Sequence, residues 1–192
     1  MRTERHNFFK DAQMHLCCGT NDLQPQFHYV YFKSGFAYAT NSHILVRNRL
    51  DEMSNLDESE IAALDGKLML ASSYKDILKY DTIMIAEDGI ECTKGNDKCF
   101  FYFAPANIKY PNAEALIQSA LNKPATALKQ FSFNMDSIQK IEKALYNSSQ
   151  CTATFKGEND YIVFDSNIAN VSSIGILMPC LTKEENLYGN GQ

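Results

Sequence analysis

The residues best suited to chemistry in this chain are four histidines, six cysteines and a scatter of carboxylates and lysines. Their spacing assembles no reactive set. The cysteines are Cys17, Cys18, Cys92, Cys99, Cys151 and Cys180, and none forms a Cys-x-x-Cys pair, which argues against a zinc ribbon. Cys92 and Cys99 flank Gly95-Asn96-Asp97 and are expected to face each other across a hairpin as free strand thiols. The histidines are dispersed, without a His-x-x-x-His spacing. His43 would need a Ser or Cys beside it to act in hydrolysis; no motif supplies one, so it reads as a satisfied, half-buried side chain. No P-loop, nucleophile elbow or paired-carboxylate motif occurs, and Lys94-Gly95-Asn96-Asp97 reads as a turn, not a phosphate cradle. The expectation is a protein that is not an enzyme and uses neither metal nor cofactor.

Two kinds of feature remain. The first is a set of three short segments: Ala39-Thr40-Asn41-Ser42-His43-Ile44-Leu45, Lys109-Tyr110-Pro111-Asn112 and Gly175-Ile176-Leu177-Met178-Pro179-Cys180-Leu181. The second is a set of lysines opposite apolar helical stripes. Lys75 and Lys79 are four apart, Lys140 and Lys143 three apart, and Lys10 holds a comparable place near the N-terminus. Phosphate contact needs only mobile positive charge, but Asp11, Asp76, Asp136 and Glu142 dilute it here.

The elements that must position these residues recur in order three times: strand, short amphipathic helix, hairpin with Gly near its turn, strand. In the third copy Phe131-Ser132-Phe133 alternates like a strand, and Asp136 or Ser137 is expected to cap a helix with Ile138, Ile141 and Leu145 on one face. Thr152 to Lys156 and Tyr161 to Phe164 flank a turn at Gly157 to Asp160, and Ile174 to Met178 closes the unit. The second copy runs from Lys67 to Leu70 through a helix carrying Tyr74, Ile77 and Leu78, then a hairpin from Thr82 to Cys92 and a strand from Phe100 to Phe103. The first has Asn7 as a cap for a helix with Phe9, Ala12 and Leu16, then strands Tyr29 to Phe32, Phe36 to Ala39 and Ile44 to Val46; its leading strand is short or absent. Leu50 to Ala63 reads as an acidic linker with at most a helical turn, Asn112 to Leu128 as a second linker, and residues 182–192 as a flexible tail.

Composition agrees with a folded, non-membrane protein. Of 192 residues 45% are hydrophobic and 21% charged, and the formal net charge of -5 argues against a protein that coats nucleic acid over its whole surface. The N-terminus has no apolar run behind it, and no stretch reaches the roughly 18 apolar residues of a membrane span, so the cytoplasm is the expected location.

Together, these segments resemble the bacterial replicative sliding clamp, the polymerase III beta subunit, chiefly its middle domain and part of its last. Ala39 to Leu45 is similar to that family's Ala-Thr-Asp-Gly-His-Arg-Leu, with Asn41-Ser42 in place of Asp-Gly and Ile44 in place of Arg. Tyr110-Pro111-Asn112 resembles its Phe-Pro-Asp-Tyr segment, and Met178-Pro179-Cys180-Leu181 its terminal Met-Pro-Met-Arg-Leu. Asp22 to Val30 resembles the lead into a hairpin. The resemblance implies a DNA-clamp-like α+β fold of repeated half-domains, with antiparallel sheets and short helices on one face. Residues 1–110 would form a complete domain and 111–181 a half-domain. It also implies a peptide-binding pocket walled by Phe27, Thr40, Ser42, His43, Ile44, Leu45, Pro111, Leu116, Ile176 and Met178, and DNA contact through Lys10, Lys75, Lys79, Lys140 and Lys143. The implied partners are replication or repair proteins carrying short linear motifs, double-stranded DNA bound without sequence preference, and further copies of the chain. Clamp rings use twelve half-domains, so three per chain would need four chains; a non-ring monomer or dimer is the equal alternative, since one half-domain is unpaired within the chain. The alternative is a clamp-fold interaction module that competes for the same motifs without touching DNA. In either case Leu187-Tyr188, an apolar pair on the tail, is within reach of Met178 and is expected to compete for the pocket.

Overall fold

The computed structural model describes residues 4–105, 107–127, 132–157, 160–166 and 173–179. The expected strand at Phe131, part of the turn at Gly157 to Asp160, Cys180 and the tail at 182–192 lie outside the described residues.

Strand β1 (Arg5–His6) opens the chain and confirms that the first leading strand is short. The helix expected next is two separate 3-10 turns, Phe8–Asp11 and Met14–Cys17, and a third 3-10 turn, Pro25–His28, leads into the next strand. Phe9 and Met14 are both fully buried. Five residues apart, they would point about 140° away from each other on an α-helix. An extended Ala12 (φ -136°) between the turns lets both reach the core. Asn7 caps nothing at its own turn; its Nδ2 donates to the carbonyls of Ile77 (2.8 Å) and Tyr80 (3.0 Å).

Strands β2 (Tyr29–Lys33), β3 (Phe36–Thr40) and β4 (Ile44–Arg49) form an antiparallel meander. The β2–β3 turn has φ of 52° at Ser34 and 79° at Gly35, the left-handed pair that matches strand twist in a two-residue hairpin. The acidic stretch is more ordered than a linker: α1 (Leu50–Met53) is followed by α2 (Glu58–Leu64). Asp57 and Glu60 close α2 with a reciprocal capping box. Then come β5 (Leu68–Leu70), α3 (Ala71–Ile77), and the hairpin strands β6 (Thr82–Ile85), β7 (Gly89–Lys94) and β8 (Asp97–Tyr102). Cys92 and Cys99 are register partners and both are free thiols. The stretch read as a second linker carries α4 (Ala113–Asn122), capped by Asn112, whose Oδ1 accepts from Ala115 N at 3.1 Å. Helix α5 (Met135–Ala144) is capped two residues before the nearer of the expected caps: Asn134 Oδ1 accepts from Asp136 N at 2.8 Å. Strands β9 (Thr152–Phe155), β10 (Ile162–Ser166) and β11 (Ser173–Leu177) follow. Phe133, expected in a strand, belongs to none.

Two antiparallel sheets result, one of four strands in the order β1-β6-β7-β8 and one of seven in the order β5-β2-β3-β4-β11-β10-β9. The seven-stranded sheet joins the first and third repeats directly, because Leu45 pairs with Ile176 and Ile44 with Leu177. Alternation then divides the side chains of this sheet between two cores. Ala37, Ala39, Ile44, Val46 and Leu177 face a large core shared with the 3-10 turns, α3, α5 and the four-stranded sheet. Tyr38, Leu45, Val163, Ile174 and Ile176 face the other way, where Ala113, Ile117 and Ala120 of α4 cover them. Gly175 admits α5 to the first face, since a Cβ there would sit 2.6 Å from Ile141 Cγ2.

Candidate functional site

Helix α4 is fixed to the outer face by a charge cluster. Arg47, only 7% exposed, donates from Nη1 to both Glu114 oxygens at 2.9 and 3.0 Å, and Tyr38 Oη donates to Glu114 at 2.8 Å. Arg47 also lies 4.6 Å over the Phe36 ring. At the other end of α4, Lys156 Nζ donates to the carbonyls of Lys123 (2.8 Å) and Leu121 (3.3 Å), satisfying C-terminal acceptors. The helix is therefore held at both ends, and one flank stays open.

Along that flank lies a hollow of about 270 Å³ lined by Phe27, Thr40, Ser42, His43, Ile44, Leu45, Pro111, Leu116, Tyr161, Ile176 and Met178. All ten residues named from the sequence thus meet around one cavity. Its floor is the β4–β11 pairing, one wall is the loop from β3 to β4, and the other is the entry to α4. Tyr161 is the wall residue that sequence reasoning missed. It reads there as the start of a strand, but it lies just before β10, with Lys123 Nζ 4.9 Å over its ring. The lining is mostly carbon, and Leu116 and Met178 stay 48% and 37% exposed at the rim. Exposed apolar groups gathered at a concavity are suited to take apolar side chains from a partner.

The β3–β4 loop is built by side-chain hydrogen bonds. Asn41 Oδ1 accepts from the backbone N–H groups of His43 and Ile44, each at 3.0 Å. Thr40 Oγ1 donates to Ile44 O at 2.7 Å. Ser42 has a φ of 77°, a left-handed conformation that favours glycine. The substitution of Asn-Ser for Asp-Gly thus keeps the acceptor and places an L-residue where glycine is easiest. Met178 N donates to His43 O at 2.9 Å, tying the end of the described chain to this loop. His43 itself is exposed, not half-buried as expected.

A second cavity of about 440 Å³ shares the wall formed by Phe27, Ser42 and His43. It is polar where the first is apolar: His15, Asn21, Gln24, Asn41 and Lys140 line it.

The five lysines are dispersed over neighbouring elements. Helices α3 and α5 both pack on the Met14–Cys17 turn. Lys75 on α3 and Lys140 and Lys143 on α5 are exposed. Burial, reinforced by Lys75, lowers the pKa of His15 on that turn. Burial pushes the Cys17 thiol up to about 12 against the opposing charge of Lys140, which marks Cys17 as an unreactive core thiol. Lys10 and Lys79 are engaged in ion pairs with Asp81 (2.9 Å) and Asp76 (2.5 Å), and Lys79 lies past the end of α3. Among the described residues no group of three or more His, Cys, Asp or Glu is placed to hold a metal ion. No described helix is long and apolar enough to cross a membrane.

Neither a family model nor a curated protein matches the chain. Solved structures do. The DNA polymerase sliding clamp of Bacillus subtilis is 11% identical with a TM-score of 0.59, over 95% of this chain and 64% of that one. The DNA polymerase III beta subunit of Thermotoga maritima is 11% identical with a TM-score of 0.59, over 98% and 68%. The sliding clamp of Bartonella birtlesii, solved bound to griselimycin, is 11% identical with a TM-score of 0.60, over 94% and 66%. The chain spans about two thirds of the length of these proteins. At such identity the likeness is one of architecture, and at that level the expected resemblance is borne out: this chain has the α+β fold of the bacterial DNA polymerase sliding clamp.

Proposed function

We propose that this chain is a non-catalytic, sliding-clamp-like accessory protein of DNA replication or repair that docks short linear peptide segments in the apolar hollow. The observation that carries this reading is the hollow itself, in which Thr40, Pro111, Leu116 and Met178 come from separate parts of the sequence to one rim. The clamp fold supports it. Burying a Leu and an aromatic side chain contributes about 1.5–3 kcal/mol each before ordering costs, which sets micromolar affinity, about -8 kcal/mol, as the scale for one peptide. The partners are proteins carrying such motifs. Strand β8 is the last strand of the smaller sheet among the described residues and carries the exposed Tyr102, which favours self-association.

A fluorescently labelled peptide with adjacent Leu and Phe should bind with micromolar affinity. Leu116→Glu and Met178→Glu, both at partly exposed positions, should each weaken it at least about tenfold by placing a charge against apolar side chains. Equal binding by wild type and both variants would remove the hollow from the reading.

Weak duplex-DNA contact through Lys75, Lys140 and Lys143, with Lys10 and Lys79 as further contacts, belongs to the same reading. The pairing of Lys10 and Lys79 with carboxylates, on a chain of net charge -5, favours the second reading, a protein-interaction module of the same fold without DNA contact.

A further inference from the structure

Among the described residues the smaller sheet ends on a strand whose outer side is free. Strand β8 is six residues long, contains no proline, and has no described strand paired beyond it. The other edges are shorter or engaged. Strand β1 has two residues. Leu68 O of β5 accepts from Ala104 N at 2.8 Å, and Phe155 O of β9 accepts from Thr126 N at 2.8 Å. The hydrogen-bonding phase of β8 follows from its neighbour. Phe103 N donates to Asp88 O at 2.8 Å, one step beyond the register pair Gly89–Tyr102. Alternation along an antiparallel pair then turns the backbone groups of Asp97, Cys99 and Phe101 toward β7, and those of Lys98, Phe100 and Tyr102 outward. The side chains of Lys98, Phe100 and Tyr102 share one face, opposite to the buried Ile90 and Cys92. The Phe100 ring fills the space over Gly89, where an added Cβ would lie 2.6 Å from Phe100 Cε1. Tyr102, paired with that glycine, is left 71% exposed, and its ring meets that of Phe100 edge-on at 4.8 Å.

We infer that two copies of the chain pair through β8, antiparallel and with Phe100 on the two-fold axis, so that their smaller sheets join edge to edge. This pairing is a specific form of the self-association proposed above and rests on it, but not on peptide docking. An edge with outward N–H and C=O groups is completed by another strand, and a second copy supplies one whose side chains fit. With Phe100 on the axis the two Phe100 side chains oppose each other, and each Lys98 lies opposite Tyr102 of the other copy. The exposed face then carries a row of aromatic rings, two from each chain, with a lysine at either end to lie over a tyrosine. Glu91 holds Lys98 at 3.2 Å within its own chain, so the charge that would guard this edge is partly neutralised. Other registers fit less well. Lys98 on the axis would set two lysines face to face, and Cys99 on the axis would leave Tyr102 opposite Asn96, in the turn beyond the strand. A two-fold pairing closes at the dimer. The hollow belongs to the larger sheet, so a dimer of this kind carries two of them.

Sedimentation equilibrium of the full chain, up to about 100 μM, tests the pairing, and wild type should form a dimer in that range. Tyr102→Lys changes an exposed position and sets a lysine opposite Lys98 of the other copy, twice per dimer. It should weaken association about tenfold at low salt, and less at high salt. Tyr102→Glu removes the same ring but places a carboxylate opposite Lys98, and should weaken association by less than about threefold. The amides of Phe100 and Tyr102 should exchange more slowly above the measured dissociation constant than below it. A monomeric wild type would end both this pairing and the self-association proposed above, leaving the docking function to its own peptide test. A dimer that both substitutions leave unchanged, or weaken equally, would place the interface elsewhere and overturn the pairing while self-association stands. Amides equally protected above and below the dissociation constant would mean that a segment of the same chain covers the edge, which overturns the pairing as well.

Discussion

Ser42 is where the site shows strain. A left-handed L-residue costs about 1–2 kcal/mol, and glycine relieves that at a smaller entropic cost of about 0.5–1 kcal/mol in the unfolded chain. Ser42→Gly is therefore expected to raise stability by roughly 0.5–1 kcal/mol, read as a higher urea midpoint with an unchanged slope. An unchanged or lower midpoint would show that Ser42 carries no such strain. The positions of Thr40, His43, Pro111 and Met178 around one cavity were legible in the sequence because short segments carried them, while the conformation at Ser42 was visible only as a departure from Asp-Gly. Tyr161 left no such signal: a tyrosine ahead of Ile162-Val163-Phe164 reads as strand, and only the partner α4 reveals that it faces a cavity.

Helix α4 is the element on which the open flank of the site depends, and Glu114 is its anchor. Glu114→Ala would leave Arg47 buried without its carboxylate, and a loss of about 2 kcal/mol is expected, below the value for a fully buried pair because Glu114 is partly exposed. Calorimetry or urea titration would measure it, and a change under about 0.5 kcal/mol would mean that α4 is held by packing alone. Burial works against ionisation of Glu114, but hydrogen bonds from Gln118, Tyr38 and Arg47 outweigh it and hold the carboxyl below the usual carboxylate range. A lowered folded pKa means stabilisation that is complete above the ordinary glutamate value of about 4.3 and is lost as pH falls through the folded value. The stability gap between wild type and Glu114→Ala should accordingly narrow below about pH 4. The sequence held part of this element. Asn112 was available as a cap and Ala113, Ile117 and Ala120 recur at helical spacing, but the exposed residues between them gave the stretch the look of a linker. The first repeat fails in the opposite sense: Phe9, Ala12 and Leu16 fit a helix, yet burial of Phe9, Met14 and Cys17 requires two tighter turns. Repeat-level periodicity identifies which segments are regular; the choice between α and 3-10 is made by what each side chain must bury.

At the scale of the whole molecule, charge decides between the two readings of function. If DNA is bound through the helix lysines, Lys75→Glu with Lys140→Glu should abolish detectable association with a duplex at 50 mM salt. For wild type the slope of log affinity against log salt would be about -0.9 per phosphate contact. Duplex affinity that is unaffected by the double change removes these lysines from the interface, and absence of binding in wild type favours the interaction module. The joining of the first and third repeats into seven continuous strands could not be read locally, since Leu45 and Ile176 are pattern-matched strand residues with nothing in either segment to nominate the other. That pairing has a consequence in time as well as space. The floor of the hollow is laid when β11 inserts between β4 and β10, among the last described residues of the chain, and long-range pairings of this kind form slowly. On the proposed docking function, a nascent chain that has not yet emitted residues 173–178 would have no hollow to offer, so during synthesis partner capture would be withheld until that strand has left the ribosome.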